Sequence, residues 1–289
     1  LYDISDTAAN IAAGIGSDEA VFTTTGVGTV AVNTYATKTE ADIIAGSAKA
    51  IVFSMKDTAA NLAAAAEATR TEAVNLIATT EASVAEAIKI TENISGYNTF
   101  NISDTVANVT ASNNTLIAKA GTVITTGTAN VSQATTISGF PKAVTYNISD
   151  TANNALGAVG DAYNEAVNIT ITNDVTYAQA KAIDDATNTD NGGVNSYSIN
   201  DTSALITAGI GTKVAAINGA TTIDANNNAL FAEASTMSGI AKAISYSISD
   251  EQTNIPGSTT SAINEAINIT ITDAVNFAQA KIIDDGSNA

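Results

Sequence analysis

The chain is 289 residues long, carries a net charge of −18, is 45% hydrophobic but only 5% aromatic, and contains neither Cys nor His. Such a charge excludes a nucleic-acid binder, which needs clustered Lys and Arg, and it opposes docking on anionic membrane surfaces. Without Cys there is no disulfide or thiolate metal site; without His as well, the usual proton shuttle is missing, and no enzyme is expected.

The chain repeats itself. Tyr2-Asp3-Ile4-Ser5-Asp6-Thr7-Ala8-Ala9-Asn10 returns from Phe53, Phe100, Tyr146, Tyr197 and Tyr246, at spacings of 51, 47, 46, 51 and 49 residues. A period of this size marks a repeat architecture. The repeats run over about 1–51, 52–98, 99–144, 145–195, 196–244 and 245–289 of one continuous slice, 1–289, which opens inside the pattern at Leu1 and reads as part of something longer. No apolar run reaches the roughly 18 residues of a membrane span, so direct membrane insertion is not expected.

Each repeat opens on alternating residues, as in Tyr146-Asn147-Ile148-Ser149, the pattern of a half-buried strand. Asp follows, then an Ala-rich stretch such as Thr58-Ala59-Ala60-Asn61-Leu62-Ala63-Ala64-Ala65-Ala66. Asp at such a junction is a good helix N-cap, because its carboxylate accepts the free N–H groups of the first turn. A second strand comes next, as in Ala166-Val167-Asn168-Ile169-Thr170-Ile171-Thr172. A capping box then predicts a second helix: Ser83 with Glu86, Asn130 with Gln133, Thr176 with Gln179, Asn276 with Gln279, and more weakly Thr34 with Thr37. Leu230 before Glu233 has lost the cap residue, so that turn should fray or be capped otherwise.

Strand, helix, strand, helix without hairpin signals predicts parallel strands joined by right-handed helical crossovers. The expected fold is α/β, a right-handed parallel strand–helix repeat solenoid, with a parallel β-helix as the alternative. Whether the two strand types share one sheet or form two is left to the structure.

The repeated Asp6, Asp57, Asp104, Asp150, Asp201 and Asp250 form a row that reads as structural helix caps, the alternative being a ladder of calcium ligands. Asn10, Asn61, Asn108, Asn154 and Asn254 follow four residues later, with Leu205 at the remaining position, and are expected to point inward and bond backbone in the next coil. Asp184 and Asp185, near Asn188, Asp190 and Asn191, and the related Asp284 and Asp285, cluster oxygens of the kind calcium prefers. They are the candidate metal ligands and calcium the candidate cofactor, although the spacing fits no EF-hand loop. Thr170 with Thr172 and Thr270 with Thr272 suggest ice-binding faces, but the pattern holds in two repeats only. Triplets such as Asn101-Ile102-Ser103 arise from the repeat itself.

The Asp-Thr-Ala-Ala-Asn signature after a Tyr-x-Ile-x strand, with Val-Ala-Glu-Ala or Tyr-Ala-Gln-Ala after the second strand, resembles the repeats of giant bacterial surface or adhesin-like secreted proteins. The acidic, Cys-free, Thr/Ala/Asn-rich composition also resembles surface-layer proteins. This resemblance implies an extracellular or cell-surface structural region that self-associates end to end or laterally as a homo-oligomer or filament. The alternative is a solenoid module of an adhesin that binds glycan, calcium or ice, with a glycan or cell-surface partner.

Overall fold

A computed structural model describes residues 1–93, 96–157, 161–185, 194–255, 260–278, 280–281 and 284. The chain divides into two compact units, one of Leu1–Thr128 with Thr136–Tyr146, the other of Ala129–Thr135 with Asn147–Ala289. Both are mixed α/β, and the strand pairings among the described residues are parallel.

Leading strands lie at Tyr2–Asp6, Met55–Asp57, Ile102–Thr105, Thr145–Asp150, Ile199–Asp201 and Ile248–Asp250. Trailing strands lie at Val27–Val32, Leu76–Ala78, Val123–Ala129, Ile169–Ile171, Ile223–Ala225 and Ile269–Ile271. The two types pair with each other within a repeat: Met55 faces Leu76, Ile102 faces Val123, Ile148 faces Ile169 and Ile199 faces Ile223. They therefore share sheets and do not form two separate ones.

Each half-repeat continues into a helix. Leading helices include Ala8–Asp18, Ala59–Ala64, Val106–Thr110, Ala152–Leu156 and Ser203–Thr212, while the sixth repeat has a 3-10 turn at Gln252–Asn254. Trailing helices include Lys38–Ala45, Val84–Thr91, Val131–Ser138, Tyr177–Asp185 and Phe231–Met237. A further short helix, such as Glu67–Glu72, Asn114–Lys119 or Val214–Gly219, precedes the trailing strand; the sequence pattern alone does not separate it from the leading helix.

From the second repeat onward the leading strands bury the same two positions, which in the first repeat are held by the exposed Tyr2 and the half-buried Ile4. Phe53 and Met55, Phe100 and Ile102, Tyr197 and Ile199, and Tyr246 and Ile248 are buried from leading strands. Leu62, Val109 and Ile206 answer from leading helices, and Ile44, Ile90, Ile183 and Met237 from trailing ones. Burial of each such side chain is worth about 1.5–3 kcal/mol. Ala41, Ala87, Ala134, Ala180 and Ala234 occupy one equivalent position, the fourth of each trailing helix, with no exposed surface. Only a methyl group fits there, so the Ala-rich composition reflects helices packed close against strands.

Candidate functional site

The residues singled out by the repeat meet at the joint where a strand ends and a helix begins. The residue capping each leading helix is Thr and not the preceding Asp. Thr7, Thr58, Thr105, Thr151 and Thr202 accept through Oγ1 from the amides of Asn10, Asn61, Asn108, Asn154 and Leu205, at 3.2–3.5 Å. The expectation of an Asp N-cap is corrected here. Asp ends the strand one residue too early for the cap position, and the hydroxyl takes over that role.

Asp works on two helices at once. In Asp104, Oδ1 accepts from the Thr105 amide at 2.7 Å and from Asn108 Nδ2 at 2.8 Å, while Oδ2 accepts from the Val84 amide at 2.8 Å. Val84 is the first residue of the trailing helix in the preceding half-repeat. The arrangement recurs at each inner copy: Oδ2 of Asp57 takes the Lys38 amide (2.9 Å), Asp150 that of Val131 (2.9 Å), Asp201 that of Tyr177 (2.9 Å) and Asp250 that of Phe231 (3.0 Å). Each acceptor lies beyond the helix it caps, so the carboxylate fastens one half-repeat to the one before it. The negative charge also sits at the positive end of the helix dipole.

The Asn ladder is corrected likewise. Asn10, Asn61, Asn108, Asn154 and Asn254 are exposed, and each donates Nδ2 to Oδ1 of its own Asp at 2.7–2.9 Å, across one helical turn. They hold the carboxylate in orientation and do not reach into the next coil. Leu205 makes no such bond, yet Asp201 keeps its two amide partners.

A second set of joints was not legible as a ladder. Thr34, Thr80, Asn173, Asn227 and Asp273 accept from the first amides of the leading elements, those of Ala8, Ala59, Ala152, Ser203 and Gln252, at 2.6–3.0 Å. Their signal is a constant offset, three residues before each trailing cap position, masked by the change of residue type. The third repeat has Gly127 at that offset; its φ is +82°, a conformation natural to Gly.

The trailing caps follow the expected boxes. Ser83 and Glu86 exchange bonds at 2.8 and 3.2 Å, Asn130 and Gln133 at 3.0 and 2.9 Å, and Thr176 and Gln179 at 3.0 and 3.2 Å. In the first repeat the box is Thr37 with Glu40, not Thr34 with Thr37, because Thr34 is engaged with Ala8. Leu230 is capped otherwise, by Glu233 on its amide at 3.0 Å with Asp250 on the next. Gln279, the expected partner of Asn276, lies outside the described residues.

Electrostatics follow from the donors. Burial pushes the Asp57, Asp104 and Asp150 carboxyls up, but the helix amide, the Asn side chain and the local amide outweigh it and hold each below its ordinary value. For Asp250 and Asp6 the Asn side chain is the leading cause of the same downward shift. Three donors occupy most of the lone-pair positions of an inner carboxylate, and a cation would have to displace them.

Two of the candidate metal ligands, Asp184 and Asp185, are engaged by lysines. Lys213 Nζ lies 2.7 Å from Asp184 Oδ2 and also bonds Asp185 Oδ1, while Lys181 Nζ lies 2.6 Å from Asp185 Oδ2. The two lysines, through their hydrogen bonds, hold the Asp185 carboxyl below its ordinary value. Asp284 is exposed, and Asp190 and Asp285 lie outside the described residues, as do Asn188 and Asn191. Among the described residues no three metal-binding side chains gather.

No protein-family model matches this chain, and no curated protein matches it. Its function is therefore argued from the joints alone. They organise backbone, and the inter-unit bond of each inner Asp attaches one strand–helix unit to the one before it.

Proposed function

We propose that the chain is a structural repeat region of a protein of the cell exterior, a filament, sheath, surface layer or adhesin stalk that works by stacking strand–helix units. In this reading the units form a right-handed solenoid, the hand that parallel strand–helix–strand crossovers normally take. One observation carries it: the same carboxylate-to-amide joint recurs five times at 2.8–3.0 Å, each unit capping the helix of the one before. A joint that is identical at each step has no preferred number of units, which is the property of quasi-one-dimensional assemblies.

Self-association, end to end or lateral, is the partner chemistry that this repeating joint favours. Electron micrographs of the chain, with and without a calcium chelator, test this. Strings or arrays of copies are expected in both; isolated particles at every concentration would overturn the proposal.

A further inference from the structure

Tyr35 breaks the repeat. The position two residues before the trailing cap holds Glu81, Thr128, Asp174, Asn228 and Ala274 in the other copies, all small or polar, but in the first it holds a tyrosine that is 51% exposed. Its ring lies beside a groove of about 370 Å³ lined by Val32, Asn33, Val52, Ser54 and Val74. Val52 and Val74 are exposed as well, at 67% and 40%. The Asn33 side chain is exposed, and Ser54 Oγ accepts from Asn75 Nδ2 at 3.2 Å, leaving its own proton to donate.

A cation stands at the same place. Lys56 Nζ is 5.9 Å from the centre of the Tyr35 ring. Among the described residues it makes no salt bridge, a state it shares with Lys49, Lys119, Lys142 and Lys242, but Lys56 is the one of these that stands over an exposed aromatic ring. In a chain of net charge −18 an unneutralised cation beside an exposed aromatic ring is the exception.

The groove suits a small ligand and not a protein surface. Its volume is within the range of about 300–1,000 Å³ typical of small-molecule sites. A stable protein interface draws on about 20–30 residues a side, far more than line this groove. The lining alternates apolar surface with hydroxyl and amide groups, matching a ring that carries C–H on its faces and hydroxyls on its rim.

We propose that the groove beside Tyr35 binds a carboxylated saccharide, its pyranose ring against the tyrosine and its carboxylate paired with Lys56. The site lies within the first compact unit and does not depend on stacking, so its failure and the failure of the structural reading are separate results. The test is calorimetric titration of the chain with a uronic-acid tetrasaccharide and, in parallel, a neutral glucose tetrasaccharide. The uronate is expected to bind more tightly than the neutral sugar, with Tyr35→Ala weakening it at least about tenfold and Lys56→Gln removing the preference for the uronate. Both side chains are exposed, and unchanged thermal melts of the variants confirm intact folding. No uronate binding at concentrations on the order of 10 mM, or binding indifferent to Tyr35→Ala, overturns the proposal. So does a loss of self-association in Tyr35→Ala, which would make the groove a contact between copies.

Discussion

Replacing Asp104 with Ala tests the joint directly. The substitution removes three hydrogen bonds: two local ones, from Thr105 N at 2.7 Å and Asn108 Nδ2 at 2.8 Å, and the inter-unit one from Val84 N at 2.8 Å. The two local bonds, made at a partly exposed carboxylate, together contribute about 1 kcal/mol. The Val84 amide, in a residue that is 9% exposed, is left without its charged acceptor, which adds about 2 kcal/mol. The sum is about 3 kcal/mol, or more than a hundredfold in the local opening equilibrium. The readout is native-state hydrogen exchange at the Val84 amide together with urea unfolding, because an array of repeats need not unfold in one step. Asp104→Asn should recover little of the loss, since its amide group places a donor where a donor must be accepted. Asp6→Ala is the control: among the described residues Asp6 makes the two local bonds alone, and the variant should lose less stability. Equal losses for Asp6→Ala and Asp104→Ala, with Val84 exchange unchanged, would refute the reasoning that the carboxylate joins two units.

Stability should hold across a plateau and fail at both ends of the pH scale. The lowered Asp57, Asp104 and Asp150 stabilise the fold above the ordinary value of 3.8, and this contribution is lost as pH falls below it. Tyr197 and Tyr246 are pushed up to about 12, chiefly by burial, so the folded form holds protons that the unfolded chain releases from 10 upward, and stability falls there. Circular dichroism melts across pH check both limits. Tyr197→Phe removes a hydroxyl that donates to the Ala216 carbonyl at 2.8 Å and should cost about 1 kcal/mol. Tyr163→Phe removes one with no partner among the described residues and should cost nothing or stabilise, as denaturant midpoints will show. At Gly127, Val should destabilise by about 1–2 kcal/mol through its positive φ, while Asn is tolerated better.

Much of this was legible because local chemistry and packing agree. Ser83 with Glu86 and Asn130 with Gln133 form boxes from residues three apart, a distance that one helical turn fixes without help from elsewhere. The parallel pairing followed from strands separated by helices. The role of Asp104 was half visible: a carboxylate at a helix start is a cap, but the helix it caps at Val84 begins 20 residues earlier in the chain, and only the folded register reveals that. Asn108 was misplaced for a related reason, since an amide side chain pairs equally well inward or with a carboxylate one turn back, and exposure decides. Tyr35 is hidden in the sequence because Thr34 with Thr37 also has the spacing of a cap, three residues ahead of the true one; with Thr37 as the reference the aromatic intrusion is plain.

The joints also have a direction. Thr34 completes the helix that starts at Ala8, Asp57 the helix at Lys38, Thr80 that at Ala59 and Asp104 that at Val84. Each of these four helices is thus finished by a group that lies 19 to 26 residues further along the chain. On this arrangement a unit emerging from the ribosome would be completed only when its successor follows. Excising one whole repeat should bring the carboxylate at one edge to an equivalent amide at the other, and an unchanged circular dichroism melt of such a variant is the expected outcome.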